Sequence, residues 1–331
     1  MPTNRRIVLA SRPQGTATTS NFRLEEVALP ALLPGQILVR NHWLSLDPYM
    51  RGRMNEGRSY AVAQALDDVM VGGTAGEVVE SRHPGFAAGD KVVAYLGWQE
   101  YGVSDGTGVF KVDTRHVPLS AYLGPVGMPG VTAWYGLNRI IDPKHGETIV
   151  VSAASGAVGS VVGQLAKIGG CRAIGIAGGA EKCEYVTREL KFDACVDYKS
   201  EDVGKRLKEV APDGVDGYFE NVGGEIMEAV LPRMNAFGRI ALCGLIAGYD
   251  GKPIPIKNPS WFLISRLLLK GFIVTEHMDV WPAALAELGA HVATGRVKYR
   301  ETVANGIENA PQAFLGMLKG ANFGKQLVKL A

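Results

Sequence analysis

The sequence has 331 residues, of which 35 are Lys or Arg and 33 are Asp or Glu, so its formal net charge at pH 7 is only +2. An excess this small gives no basic footprint for nucleic acid or for an anionic membrane. Hydrophobic residues make up 47% and charged residues 21%, which is a globular composition, and the length favours two domains over one. We therefore expect neither nucleic acid nor a membrane as a partner.

Glycine is the unusual component, at 42 positions against 17 for proline. This is well above the usual share of about 7%, yet the sequence has no G-X-Y period, which excludes collagen. The excess points to many turns, or to places where the backbone closely approaches a ligand.

The four cysteines all lie in the second half of the chain and form no C-x-x-C motif, which disfavours both a zinc ribbon and a disulfide framework. Cys171, Cys183 and Cys195 are evenly spaced, a regularity that we interpret as coincidence. The first apolar run is too short for a signal peptide. The longest apolar stretch, residues 261–274, is interrupted by two basic residues and is shorter than the ~20 residues of a membrane span. A cytoplasmic protein is expected.

In chain order, the first ~120 residues show short apolar runs separated by Pro-Gly and Gly-Asp turns, which predicts an all-β domain without a long helix. The predicted strands are 36–41, 75–79, 91–94 and 101–103.

From about Leu123 the pattern changes to strands that alternate with helices, which predicts a doubly wound parallel sheet of the Rossmann type. The predicted strands are 148–153, 172–176, 195–197, 217–220 and 239–243, and the clearest helices are 158–168 and 181–190. The last ~40 residues leave this rhythm, with a strand at 299–303 and a helix at 307–318, and we expect them to return to the first domain. The predicted domains are 1–123 with 294–331, and 124–293.

A glycine-rich loop, residues 153–159 (AASGAVG), lies between the predicted strand 148–153 and the helix 158–168. In this position backbone N–H groups and the positive end of the helix dipole converge where a pyrophosphate would bind. The alternative is a strand-to-helix turn without a ligand. A phosphate-loop nucleoside triphosphatase is not supported, because the sequence contains no G-x-x-x-x-G-K-[ST] motif.

The end of the second strand indicates which dinucleotide is bound. A site specific for NAD would place Asp or Glu there, roughly 20 residues after the loop. Residues 177–180 read AGGA instead, followed by Glu181 and Lys182. A small uncharged turn followed by a lysine suits the 2′-phosphate of NADPH, which an acid would repel. The alternative for Lys182 is an exposed helix lysine that pairs with a neighbouring carboxylate.

Several segments together closely resemble the zinc-independent medium-chain reductases. The resemblance is carried by residues 153–164, 220–224, 237–244, 44–54 and 316–325, and it extends over essentially the whole chain. Within that family the sequence is similar to the group of leukotriene B4 12-hydroxydehydrogenases and prostaglandin reductases, which includes alkenal double-bond reductases and curcumin reductases. The resemblance implies a GroES-like N-terminal β-domain, a Rossmann domain and a homodimer.

The resemblance also implies a binding site for NADPH or NADP+. The residues implied for the pyrophosphate are Gly156, Ala157, Val158 and Gly159, and those for the 2′-phosphate are Lys182 and Tyr198. The residues implied for the rest of the groove are Gly179, Asn221, Cys243, Gly244, Ile246, Tyr249, Phe272, Val274 and Asn322.

Three tyrosines are candidates for the substrate. Tyr249 lies where the family places a tyrosine near the substrate carbonyl, and Tyr60 lies where curcumin-reductase-like members have a second one. Tyr49 is a further candidate for substrate binding. The alternative for each is an amphipathic residue that packs at the edge of a cleft. One departure is Ile264, which stands where some mammalian members carry another tyrosine.

A catalytic zinc is not expected. Zinc-dependent relatives carry His-Glu after a glycine in the strand that here contains Gly72 and Gly73, and a ligand cysteine near Leu46, and this sequence has neither. No short H-x-x-H or H-x-x-x-H pair occurs among the six histidines.

The chemistry implied is reduction of the carbon–carbon double bond of an α,β-unsaturated ketone or aldehyde. Hydride is delivered to the β-carbon, and a tyrosine or the ribose hydroxyl stabilises the enolate oxygen. A tyrosine hydroxyl, with a pKa of about 10, can donate that hydrogen bond at neutral pH. Two alternatives remain open, namely an NADPH quinone oxidoreductase and a noncatalytic NADPH-binding sensor.

Overall fold

The structure is a computed structural model that describes residues 3–330. The chain divides into two compact units, one formed by the residues up to Leu123 together with those from Glu301 onward, the other by Gly124–Arg300. The second boundary therefore lies at Glu301 rather than at residue 294. Lys298 is bonded to the second unit, because the side chain of Gln164 donates to the Lys298 carbonyl and accepts from the Lys298 amide, both at 2.8 Å.

The N-terminal part of the first unit is made of strands and one short helix. These are β1 (Thr3–Leu9), β2 (Phe22–Ala28), β3 (Ile37–Ser45), α1 (Tyr49–Arg53), β4 (Thr74–Ser81), β5 (Lys91–Ala94), β6 (Tyr101–Ser104) and β7 (Phe110–Lys111).

The second unit alternates strands and helices. Its elements are α2 (Met128–Tyr135), β8 (Thr148–Ser152), α3 (Gly159–Ile168), β9 (Arg172–Ala177), α4 (Ala180–Arg188), β10 (Ala194–Asp197), α5 (Val203–Val210), β11 (Val215–Glu220), α6 (Gly224–Val230), β12 (Met234–Leu242), α7 (Ser260–Ile264), β13 (Leu268–Gly271) and α8 (Trp281–Ala293). The chain then returns to the first unit through β14 (Glu301–Asn305), α9 (Ala310–Leu318) and β15 (Lys325–Lys329).

The first unit contains a seven-stranded sheet in the order β14-β15-β3-β4-β5-β7, with β6 paired to β3, and a separate β1-β2 pair. Its core includes Trp98, whose ring stacks on Phe22 and meets the edge of Phe314, each at 5.5 Å between centroids. Phe314 lies in α9, so the C-terminal segment supplies part of the core that the N-terminal strands need.

The second unit contains a six-stranded parallel sheet in the order β10-β9-β8-β11-β12-β13. All five residues of β8 are buried, as expected for the central strand of a sheet with helices on both faces. The strand order reverses between β8 and β11, which is where doubly wound sheets bind ligands at their carboxyl ends.

The predicted α/β fold, a β-domain joined to a Rossmann-type parallel sheet, is confirmed. The hairpin partners β1 and β2 were not predicted from the sequence, because neither has a regular alternation of buried and exposed residues. In residues 3–330 no helix is both long enough and apolar enough to cross a membrane.

Candidate active site

The glycine loop between β8 and α3 turns back tightly on itself. Ala153 has a positive φ of 49°, which turns the chain directly after the strand. A Cβ atom on Gly159 would lie 2.4 Å from the Ala153 carbonyl oxygen and 3.0 Å from its carbonyl carbon. Because both are backbone atoms, the first residue of α3 has to be glycine for the loop to keep this shape.

The loop leaves backbone donors open at the start of α3. Within the described part of the chain, the amides of Ala157 and Val158 donate to no protein acceptor, whereas Gly156 and Ser160 donate to Ala153 and Gly156. Open amides at the positive end of a ten-residue helix suit a pyrophosphate. The loop therefore fits the dinucleotide that the sequence implies.

Asp197, at the end of β10, ties together the turns that follow β9 and β10. Its carboxylate accepts from the amides of Gly179 at 2.7 Å and Lys199 at 3.0 Å, and from the Ser200 hydroxyl at 2.8 Å. Burial raises the pKa of Asp197, but these hydrogen bonds outweigh it and hold the pKa below its usual range. The ionised carboxylate of Asp197 therefore binds main-chain amides of both turns.

Two lysines lie close together beside these turns. The pKa of Lys182 is lowered by its burial and by the positive charge of Lys199, and Glu181 opposes this only in part. Tyr198, 45% exposed, covers Gly178, where a Cβ atom would lie 2.8 Å from the tyrosine oxygen. Two neighbouring cations and a hydroxyl, together with the lack of an acid at the end of β9, suit the 2′-phosphate.

A buried network joins the carboxyl ends of β8 and β11. The Ser152 hydroxyl donates to Glu220 at 2.7 Å and accepts from the Asn221 amide at 2.8 Å. The Asn221 side chain donates to the Ser152 carbonyl at 2.8 Å, and the Tyr218 hydroxyl donates to the second oxygen of Glu220. Asn221 is thereby held at the point where the strand order reverses.

The segment after β12 is anchored to the main chain of Glu220. The amides of Cys243 and Gly244 donate to the Glu220 carbonyl at 2.9 and 3.1 Å. Burial, and secondarily Glu220, raises the pKa of the Cys243 thiol to about 12. The hydroxyl of the half-buried Tyr249 lies 3.8 Å from where a Cβ of Gly244 would be, so this hydroxyl lies beside Gly244.

Ile246, Phe272 and Val274 take different positions in the second unit. Ile246 begins a short 3-10 helix and is half-buried. Phe272 is buried, with ring centroids 5.4 Å from Tyr135 and 6.3 Å from Phe219, and Val274 is also buried. Phe272 and Val274 therefore form part of the packed interior, and their role toward a cofactor stays a prediction.

Tyr49 begins α1 in the first unit. Burial raises its pKa well above the usual value, and Asp47 and Tyr95 add to the effect, so the hydroxyl stays protonated and can donate. Tyr60, 59% exposed, lies in a loop that Arg53 holds by donating to the Val62 carbonyl at 2.7 Å. Asn322 lies before β15 and donates from its side chain to the Gly324 carbonyl at 2.8 Å.

The predicted residues therefore fall into two sets, one in each unit. In the second unit lie Gly156, Ala157, Val158, Gly159, Gly179, Lys182, Tyr198, Asn221, Cys243, Gly244, Ile246, Tyr249, Phe272 and Val274, and in the first lie Tyr49, Tyr60 and Asn322.

Comparison with known proteins identifies the family. Residues 5–112 match a family model described as the N-terminal domain of oxidoreductase, and residues 157–290 match one described as zinc-binding dehydrogenase. The chain is 47% identical to the NADPH-dependent curcumin reductase of Escherichia coli, over 99% of this chain and 97% of that protein. It is 40% identical to the NADP(+)-dependent 2-alkenal reductase of Nicotiana tabacum, over 99% and 98%.

A solved structure agrees. CurA from Vibrio vulnificus in complex with NADPH superposes with a TM-score of 0.94 at 46% identity, covering 99% of each chain. The chain belongs to the zinc-independent medium-chain reductases. Although one family model is described by its zinc, residues 3–330 of this medium-chain reductase contain no group of three or more His, Cys, Asp or Glu side chains arranged to hold a metal ion.

Two residues of this medium-chain reductase lie near predicted site residues but were not identified from the sequence. Lys199 follows Tyr198 directly, and a second cation after the third strand was the available signal. Tyr95 follows β5, and its side chain is 58% exposed. Desolvation of its hydroxyl, and secondarily the charge of Asp47, raises its pKa to about 12. Nothing in the local sequence marked Tyr95, because its proximity to Tyr49 arises from the folding of the sheet.

Proposed function

We propose that this medium-chain reductase uses NADPH to reduce the carbon–carbon double bond of α,β-unsaturated ketones and aldehydes. The observation that carries the cofactor choice is the pair Lys182 and Lys199 beside Tyr198, together with the lack of an acid at the end of β9. The reaction class comes from the relatives, which are named for reducing curcumin and 2-alkenals with NADPH or NADP(+).

The residues proposed to hold NADPH lie along the carboxyl edge of the parallel sheet. The open amides of Ala157 and Val158 would bind the pyrophosphate, and the two lysines with Tyr198 would bind the 2′-phosphate. Asn221 and Gly244, both fixed by the buried Glu220 network, would line the remainder. When bound, the cofactor supplies the hydride.

The protein's part in the reaction is to orient the alkene and to donate hydrogen bonds to the carbonyl oxygen, where negative charge develops. We propose Tyr249 as the donor, supported by its half-buried position beside Gly244. Tyr60 is the second candidate for catalysis, and Tyr49 is proposed to contact substrate. The raised pKa of Tyr49 keeps its proton in place at neutral pH.

The decisive experiment follows NADPH absorbance with a conjugated enone, an enal and a quinone, and identifies each product. We expect the enone and the enal to be consumed and their products to retain the carbonyl group. Recovery of an allylic alcohol, or turnover of the quinone alone, would overturn the proposal. Tight NADPH binding without turnover of any compound would favour a sensor.

Matched substitutions distinguish the roles of the candidate tyrosines. Tyr249→Phe should lower kcat about 10- to 1000-fold, because a single hydrogen-bond donor to a developing oxyanion contributes on that scale. Tyr60→Phe should have a smaller effect. Tyr122→Phe, at a hydroxyl that donates to the Asp113 carbonyl, is the control and should leave kcat unchanged. Equal activity of all three variants would leave the ribose hydroxyl as the donor.

We also propose a homodimer. In the described chain β13 pairs only with β12 and ends the sheet, so its other edge is open to a further strand. Leu263 (79% exposed), Ile264 and Leu268 form an apolar surface beside that edge. Light scattering should give a mass twice that of one chain. The Leu268→Lys variant should have a mass closer to that of one chain. A monomeric unmodified protein would contradict the proposal.

A cytoplasmic location is proposed on chemical grounds. The four cysteines carry free thiols, which a reducing compartment preserves, and NADPH is supplied within the cell. Cell fractionation with antibody detection tests this, and recovery outside the cytoplasmic fraction would contradict it.

A further inference from the structure

Two of the evenly spaced cysteines meet in the fold. The sulfur of Cys183, in α4, lies 3.1 Å from the sulfur of Cys195, in β10. Our interpretation of the spacing as coincidence is therefore wrong for this pair. The cause is the strand order, because β10 returns beside β9 and brings its side chains under the helix that connects the two strands.

The space for the pair is created by a glycine. Gly175 in β9 lies opposite Cys195 in the parallel register. A Cβ atom on Gly175 would lie 3.3 Å from the Cys195 sulfur and 2.9 Å from Val186 of α4. The absent side chain lets the sulfur of Cys195 sit between the sheet and α4, directed at Cys183.

Cys183 differs from the other three cysteines in the direction of its pKa shift. The hydrogen bond from Cys195 lowers the pKa of the Cys183 thiol, and the same contact, with burial, raises the pKa of Cys195. Burial raises the pKa of both Cys171 and Cys243. Since the thiolate is the nucleophile, the lowered pKa and the 3.1 Å contact favour Cys183 as the thiol that reacts first. Both members of the pair are partly exposed, which gives a small oxidant access.

We propose that Cys183 and Cys195 are a peroxide-sensitive modification site that forms a reversible intramolecular disulfide. The Cys183 thiolate attacks one oxygen of hydrogen peroxide, which becomes a sulfenic acid on sulfur and releases water after protonation. The Cys195 thiol then displaces the hydroxyl of the sulfenic acid, forming the S–S bond and a second water. The two thiols lose two electrons and two protons, and the peroxide is reduced to two waters. A dithiol reverses the reaction by exchange.

The disulfide would act on the cofactor pocket next to it. Lys182 precedes Cys183 on the first turn of α4, and Tyr198 and Lys199 follow Cys195 after the end of β10. A disulfide bond of about 2.05 Å requires the sulfurs to move together by roughly 1 Å from their present separation. That movement displaces Lys182 from its phosphate-binding position. This part rests on the proposed function, because it requires the 2′-phosphate to bind at the two lysines.

The first measurement is peptide mass mapping of the full-length protein after mild peroxide treatment. We expect one disulfide between Cys183 and Cys195, reversed by dithiothreitol and absent in Cys183→Ala and Cys195→Ala. Cys171→Ala is the matched control and should still form the disulfide. Absence of the linkage, or stable sulfinic acid at Cys183 while Cys195 stays a thiol, would overturn the proposal.

The second measurement is the Kd of NADPH and of NADH by fluorescence titration of the reduced and oxidised protein. We expect oxidation to weaken NADPH binding about 3- to 10-fold, as misplacing a charge-assisted contact does, and to leave NADH nearly unchanged. An unchanged Kd with the disulfide in place would overturn the coupling alone. If Lys182→Ala has no effect on NADPH binding, the pocket assignment fails while the disulfide remains established.

Discussion

Lys325 and Asp47 form a buried ion pair, with the lysine nitrogen 2.6 Å from a carboxylate oxygen across 278 positions of sequence. The same nitrogen donates to the Leu46 carbonyl at 2.8 Å, and the Ser45 hydroxyl donates to the other oxygen of Asp47. The pair thereby joins β15 to the segment that leads into Tyr49. The C-terminal return thus helps to position a candidate substrate-binding tyrosine within the first unit.

Replacing Lys325 with Met should destabilise the first unit by about 3–5 kcal/mol, because it leaves the Asp47 carboxylate buried without its cation. Urea unfolding followed by fluorescence measures the loss. Lys319→Met, at an exposed lysine of the same C-terminal segment, is the control and should change stability by less than about 0.5 kcal/mol. Equal stability of both variants would contradict a structural role for the pair.

Gly159→Ala should weaken NADPH binding at least about tenfold, because the added Cβ would lie 2.4 Å from a backbone oxygen and the loop must move. The Kd from fluorescence titration checks this. Gly204→Ala, in α5, is the matched control, since its Cβ would meet only the Asp202 side chain at 3.5 Å. The control should bind NADPH normally; a normal Kd for Gly159→Ala as well would remove the loop from the site.

Lys182→Ala and Lys199→Ala should each raise the Kd of NADPH about 10- to 100-fold, the value of a lost hydrogen bond to a charged group. The Kd of NADH should change little, because NADH lacks the 2′-phosphate. Lys205→Ala, at a lysine in α5, serves as the control. Equal weakening of both cofactors would show that the lysines stabilise the fold around the adenosine rather than select the phosphate.

The lowered pKa of Lys182 predicts a pH dependence for NADPH binding. The bound phosphate favours the protonated lysine and raises its pKa in the complex, so affinity falls as pH rises from the pKa in the free protein to that in the complex. This fall begins below the ordinary lysine value of about 10.4, in a range where the phosphate stays dianionic. The ratio of NADPH to NADH affinity, measured from pH 7 upward, should decline, and in Lys182→Ala the decline should be much smaller.

Much of the Rossmann-type unit could be predicted from local sequence. The apolar run before the glycine loop predicted β8, and the loop itself lies between a strand and a helix as its residues required. Burial of β8 on both faces produces a continuous apolar run that is visible without a structure. Strands β1 and β2 lacked such a pattern, because polar and charged residues interrupt their sequences, TNRRIVL and FRLEEVA.

The candidate site likewise has features that could be predicted from the sequence and features that could not. The missing acid after β9 and the position of Lys182 follow from consecutive residues, so the preference for NADPH was readable in the sequence. The proposed contribution of Lys199 and the contact of Cys183 with Cys195 depend on β10 lying beside β9. No periodic pattern in the sequence indicates that β10 lies beside β9.

The sequence by itself determined the family and the cofactor class and predicted the pyrophosphate loop, since these reside in short runs whose backbone conformation and charge are local properties. Only the tertiary structure decided which distant side chains share an environment, as Lys325 with Asp47 and Tyr95 with Tyr49. The physical reason is that such contacts are selected by strand order and by the burial of charge, which depend on the whole folded chain.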